Sequence, residues 1–220
     1  MFTGYSDQTV DLFWGIRLNN SREWFAPHKQ EFREAVMEPT KALANTLYEW
    51  FRETYPELGL NLHISRVYRD ARRLYGRDPL NDHIWFSFQN ESDQRMQAPC
   101  LWFEVGADGY GCGAGWWAEA AAAARYRKVI DRDPERVLKL KRALDRQTQF
   151  ALEGKVYARP KGRAGEELEQ WYNLRNISVS CFRSYDALSY SPELADWLKE
   201  SYAFLLPYYR LMDTAYRLAE

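Results

Sequence analysis

Residues 83–117 read H-I-W-F-S-F-Q-N-E-S-D-Q-R-M-Q-A-P-C-L-W-F-E-V-G-A-D-G-Y-G-C-G-A-G-W-W, and this stretch decides the fold class. Ile84, Phe86 and Phe88 fall on one face of an alternating stretch, as do Leu101, Phe103 and Val105, which is the period-2 pattern of strands. Asp108-Gly109 between apolar runs signals a tight antiparallel hairpin. With those two residues as the loop, Val105 faces Cys112, Phe103 faces Ala114 and Leu101 faces Trp116, while Cys100 faces Trp117. That register argues against a Cys100–Cys112 disulfide. Gly111, Gly113 and Gly115 then share the opposite face, where a backbone, a ring or a ligand comes close. The glycines carry no G-K-[ST] and lead into a second strand, so a phosphate-loop reading fails.

Helical periods flank this meander. Val10, Phe13 and Trp14 follow Ser6, a candidate N-cap, and predict a helix over 6–18. Asn19-Asn20 ends it, and Asn20 with Glu23 three residues on has a capping-box arrangement. Phe32, Val36, Leu43, Leu47 and Trp50 predict a long helix over 27–52, opened by Pro27 and kinked or broken at Pro39. Leu62, Ile64, Arg66 and Tyr68 alternate with His63, Ser65, Val67 and Arg69, which predicts a strand over 62–69. After the hairpin, helices are expected over 118–130 and 134–150, then a basic loop over 154–165. A short helix near 166–174, a strand over 177–183 and two proline-opened helices over 192–204 and 207–218 complete the chain. The order predicts an α+β fold in one domain, residues 1–220, with a mainly antiparallel sheet of about five strands covered by N- and C-terminal helices.

Composition narrows the setting. The chain has 220 residues, and its net charge of −1 disfavours nucleic acid as a partner. No apolar run reaches the roughly 18 residues that a membrane span needs. Cys100, Cys112 and Cys181 form no C-x-x-C pair, and His28, His63 and His83 have no ligand spacing. No cofactor and no metal are expected, and the compartment is read as the cytoplasm. Oligomeric state is left open.

The sharpest chemical signal is R-V-Y-R-D-A-R-R-L-Y-G-R-D from Arg66 to Asp78, five arginines with an aspartate among them. Guanidinium forks suit carboxylate and phosphate. Arg66, Arg69 and Arg72, with Asp70 orienting one of them, make a candidate site for an anionic small molecule. Arg66 shares a strand face with Leu62 and Ile64, where it needs a paired anion or a route to water. A structural ion-pair network with Asp70 accounts for the same residues. The polar block Asn19, Asn20, Arg22, Glu23 and Trp24 is a second candidate part of the site. The basic residues Lys155, Arg159, Lys161 and Arg163 form either a closing loop or a solvated one. No residue stands out as a general base or nucleophile, so enzyme action on the anion is left open. The alternative is a non-catalytic protein-interaction module, with Trp and Tyr as anchors and the arginines holding an acidic partner.

These two blocks resemble those of the mostly bacterial domain-of-unknown-function family 2461. N-N-S-R-E-W-F at 19–25 is similar to the family's N-N-x-R-x-W-F. Residues 66–80 are similar to R-x-x-R-D-x-R-F-x-x-D-K-x-P-Y, with Arg66, Arg69, Asp70, Arg72 and Pro79 matching. Arg73, Gly76, Arg77 and Leu80 depart from it, replacing Phe, Asp, Lys and Tyr. The glycine hairpin entering W-W and the P-x-G at 160–162 also resemble the family. The resemblance spans nearly the whole chain and implies no particular reaction.

Overall fold

The computed structural model describes residues 1–76, 78–90, 93, 97–117 and 120–218. Helices α1 (Asp7–Leu18), α2 (Arg22–Phe32) and α3 (Glu38–Thr54) lead into strand β1 (Leu60–Ile64). Strands β2 (His83–Asn90), β3 (Cys100–Gly106) and β4 (Gly109–Trp116) follow, then helices α4 (Ala120–Arg132) and α5 (Pro134–Asp145). Strand β5 (Ala151–Glu153), helix α6 (Glu169–Tyr172), strand β6 (Ile177–Arg183) and helix α7 (Leu194–Tyr216) complete the order. The six strands form one antiparallel sheet in the order β1-β2-β3-β4-β6-β5. The α+β class therefore holds; the strand beyond the expected five is β5, too short at three residues to show a period.

The backbone clusters into two compact units. One comprises Met1–Phe88, Phe103–Gly111 and Phe182–Glu200; the other comprises Gln89–Trp102, Cys112–Cys181 and Ser201–Glu220.

In the first unit the core is aromatic. Phe86 stacks on Phe103 at 5.0 Å between centroids, and Phe51 meets Phe88 at 4.8 Å. The long helix expected over 27–52 is broken as Pro39 requires, by a π-helical turn over Arg33–Met37. A proline cannot donate to the carbonyl four residues back and its ring crowds that carbonyl. Here that carbonyl is Ala35's, and it accepts instead from Thr9 Oγ1 of α1 at 2.7 Å. Thr40 closes the same corner, its hydroxyl donating to Val36 O at 2.7 Å and meeting Tyr5 Oη at 3.0 Å. Pro27 does not open a helix; it lies inside α2, which starts at Arg22 because Ser21 caps it, Oγ accepting from Trp24 N at 3.1 Å. Ser21, not Asn20, is thus the N-cap.

In the second unit β4 passes beneath two tryptophans. A side chain at Gly113 would meet the Trp102 ring at 2.8 Å and Ser180 Cβ at 2.7 Å, and one at Gly115 would collide with Trp117. The glycine face is therefore filled by rings. Cys112 and Cys181 lie with their sulfurs 3.8 Å apart, and none of the three cysteines is in a disulfide. The basic loop is tied down by the buried Asn173, whose Oδ1 accepts from Lys161 N at 2.7 Å and whose carbonyl accepts from Tyr157 N at 3.0 Å.

Two further expectations change. The hairpin loop is Ala107-Asp108, one residue earlier than expected, with Gly109 (φ 142°) opening β4 beside the Arg183 carbonyl. The two proline-opened terminal helices are one, α7, with Pro207 inside it. No helix among the described residues is long and apolar enough to cross a membrane.

Candidate functional site

The arginine block folds as a small hairpin in the first unit. Arg69 N donates to Pro79 O at 2.9 Å and Asn81 N to Val67 O at 2.7 Å, bracketing an antiparallel bridge between Tyr68 and Leu80. Strand β1 has already ended at Ile64. Ser65 is buried and completes the ladder with its side chain, Oγ accepting from Trp85 N at 2.9 Å while its own N donates to Trp85 O at 2.8 Å. That insertion turns Arg66 outward. The expectation that Arg66 sits on a core-facing strand face is therefore corrected: it is exposed.

Arg72 and Asp70 pair with each other. Asp70 Oδ1 accepts from Arg72 N at 3.1 Å and Nε at 3.0 Å, and Oδ2 accepts from Nη2 at 2.9 Å. The Arg72 side chain is 89% exposed, so this pair is a surface contact with little energetic weight. Arg69 differs. It is half-buried, and its Nε donates to Asn81 Oδ1 at 2.8 Å. No described acid pairs with it, so the buried Arg–Asp network offered as an alternative does not include Arg69. Asn81 Nδ2 in turn donates to Arg66 O at 3.1 Å. Arg77 and the Arg73 side chain lie outside the described residues.

The two sequence blocks meet. Asn20 Oδ1 accepts from Leu80 N at 2.9 Å and Nδ2 donates to Leu80 O at 3.1 Å. Leu80's backbone groups point away from the Tyr68 strand, and the Asn20 amide satisfies both as a neighbouring strand would. Asn19 closes α1, its N and Nδ2 donating to Gly15 O at 3.0 and 3.1 Å. Trp24 lies across Gly15 and stacks on His28 at 4.2 Å. Phe25 packs edge-on against Tyr68 at 5.6 Å, while Arg22 and Glu23 are exposed.

These contacts converge on Leu80–His83, the segment entering β2. Beside Asn81, Asp82 Oδ2 accepts from Arg17 Nε at 2.6 Å, and Arg17 grips Asp108 with Nη1 and Nη2 at 2.7 and 2.8 Å. Burial would raise the Asp82 carboxyl, but hydrogen bonds from Arg17 and His83 outweigh it and hold it below the usual range. His83 Nδ1 lies 3.2 Å from Asp82 Oδ1 and Nε2 lies 4.0 Å from Glu104 Oε2. Gly106 permits this approach, since a side chain there would stand 2.7 Å from His83 Cβ. Glu104 receives no hydrogen bond from any described residue, and its half-burial pushes its carboxyl upward. Among the described residues no three His, Cys, Asp or Glu side chains are grouped to hold a metal ion.

A family model described as a conserved hypothetical protein, DUF2461, matches residues 8–210. The chain belongs to this family. Residues 8–210 take in both the Asn20 block and the Arg69 hairpin, so the DUF2461 match covers the two segments that Leu80 joins. No curated protein matches the chain. Arg17, Asn81, Asp82, His83 and Glu104 were not among the sequence candidates. The signal available for them was N-D-H directly before an alternating strand, since three polar residues at a strand's start need partners.

Proposed function

We propose that the 66–81 hairpin recognises an anionic small molecule carrying a phosphate or carboxylate, with Arg69 as its anchoring cation and Arg66 and Arg72 flanking it. One observation carries this reading. Among the described residues Arg69 commits only Nε, to Asn81, so its guanidinium is oriented while the terminal nitrogens stay available for a charge-assisted fork. Holding the fork in advance reduces the ordering cost of binding. The setting proposed is the cytoplasm, a reading supported by three cysteines that form no disulfide.

A second reading, a non-catalytic interaction module for an acidic peptide, draws support from Tyr68 and Tyr75, 41% and 85% exposed on the same hairpin. Thermal-shift measurements on wild type and Arg69→Ala test both. The panel holds phosphate, sulfate, nucleotides, sugar phosphates, dicarboxylates and an oligo-glutamate peptide. A ligand at 100 times its Kd adds about 2.7 kcal/mol. The expected result is a small-anion shift that Arg69→Ala removes while remaining folded. A shift with the peptide alone transfers the site to the second reading, and a small-anion shift that survives Arg69→Ala overturns the first.

A further inference from the structure

We infer that the basic loop over 154–165, with Arg127 and Arg175 beside it, is a docking surface for the phosphate backbone of a nucleic acid. The surface lies wholly within the second unit, so the inference does not rest on the Arg69 reading.

The whole-chain charge of −1 conceals a division. The first unit holds 13 Lys and Arg against 18 Asp and Glu, whereas the second holds 17 against 13. Part of that excess is concentrated in one loop. Residues 154–165 read G-K-V-Y-A-R-P-K-G-R-A-G, four cations and no acid.

The loop is held in place. Besides accepting from Lys161 N, Asn173 donates from Nδ2 to Gly162 O at 3.3 Å, and Asn176 Oδ1 accepts from Lys155 N at 2.9 Å. Arg175 N donates to Lys155 O at 2.7 Å beside an antiparallel bridge between Val156 and Leu174. Tyr157 gathers two more charges, with Lys161 Nζ 5.0 Å and Arg127 Cζ 5.7 Å from its ring centre. Arg127 Nη1 is enclosed there without an acceptor.

The neighbouring acids are engaged elsewhere. Asp131 Oδ2 accepts from Tyr172 Oη at 3.2 Å, Glu169 Oε1 from Asn173 Nδ2 at 3.3 Å, and Glu167 Oε1 from Arg142 Nη2 at 3.2 Å. Glu153 and Glu166 lie beyond the ends of the loop. Among the described residues no acid pairs with Lys155, Arg159, Lys161, Arg163, Arg175 or Arg127, and all but the half-buried Arg127 are exposed. Like charges held together repel, and a row of phosphates offsets that repulsion.

Charge by itself also attracts an acidic protein, and apolar content decides between the two. A protein interface centres on buried aromatic or aliphatic anchors. Among the described residues this loop exposes one large apolar side chain, Val156, while Tyr157 is half-buried against its two cations. A nucleic-acid backbone needs no anchor, because pairing with phosphates and release of counterions supply essentially all of its sequence-independent affinity.

The test is fluorescence anisotropy with labelled mixed-sequence DNA and RNA single strands of about 20 nucleotides and a DNA duplex, between about 50 and 200 mM salt. Wild type is expected to bind at least one of them, with log affinity falling linearly in log salt. Four phosphate contacts to a single strand give a slope of about −2.8, or roughly fifty-fold weaker binding across that range. Lys155→Gln, Lys161→Gln and Arg163→Gln combined, all at exposed positions, are expected to keep the wild-type melting temperature and to flatten the slope by about 2. Arg69→Ala is expected to leave the slope unchanged. No binding to any of the three at the lowest salt overturns the inference. So does a triple variant that binds like wild type, including one that does so while Arg69→Ala abolishes binding. Tighter binding to oligo-glutamate or to phosphatidylserine vesicles than to the nucleic acids overturns it as well.

Discussion

Replacing Asn20 with alanine removes the two hydrogen bonds, at 2.9 and 3.1 Å, that join α1's end to the arginine hairpin. Leu80 is fully buried, so its N–H and C=O have no water to turn to. Each lost bond forfeits about 0.5–1.5 kcal/mol net, and leaving a buried partner unsatisfied costs about 1–3 kcal/mol. Relaxation of the hairpin recovers part of this, and the expected destabilisation is about 2–4 kcal/mol. Urea denaturation measures it through the midpoint at unchanged slope. Amide exchange adds a local readout, with the Leu80 N–H losing protection more than the amides of Leu43 or Leu47. Asn20→Asp keeps the acceptor for Leu80 N but sets a carboxylate against Leu80 O, so it is expected to fall at or below the alanine variant. A loss under about 0.5 kcal/mol, with Leu80 still protected, would refute the latch, because two buried backbone groups cannot be abandoned that cheaply.

Glu104→Gln is expected to stabilise the protein at neutral pH. A carboxyl raised in the fold favours its neutral form, so stability falls as pH rises from the ordinary value of 4.5 through the folded value. Glutamine removes that dependence, and thermal melts across pH 4 to 8 read it out. Gly113→Ala sets a methyl 2.7–2.8 Å from Ser180 and Trp102, and overpacking of this kind costs about 1–3 kcal/mol, measurable as a lowered melting temperature. Cys112 and Cys181 are buried and burial pushes the Cys112 thiol up, so a thiol reagent is expected to label both only after unfolding. Rapid labelling of either in the native protein contradicts the packing of β4 against β6.

The fold was legible where a period ran long enough to average out local exceptions. Ile84, Phe86 and Phe88 announced β2, and Ser6 marked the start of α1 to the residue. Misreadings came at single residues whose role is set by distant partners. Ser65 resembles any polar strand residue until Trp85 is known to be opposite, and only then does Arg66 turn to solvent. Pro207 looked like a helix start, yet α7 continues through it because packing outweighs one missing hydrogen bond. For the candidate site, the arginine block was visible from charge alone, but its division of labour was not. Asn81, twelve residues away, makes Arg69 the oriented member, and nothing local distinguishes it from Arg72. Glu104 was hidden inside an alternating strand, as an ordinary outward-facing acid.

The acceptor that Pro39 denies to its own helix gives α1 an address. Only a donor placed like the Thr9 hydroxyl reaches the Ala35 carbonyl, and Thr9 is fully enclosed when it does so. Sliding α1 by one turn, about 5.4 Å, would strand both the carbonyl and the hydroxyl in an apolar interior. A residue that looks like a defect in one helix thus acts as a ruler for another. Arg17 lies on the same rigid helix as Thr9, so anchoring Thr9 also fixes where the guanidinium meets Asp82.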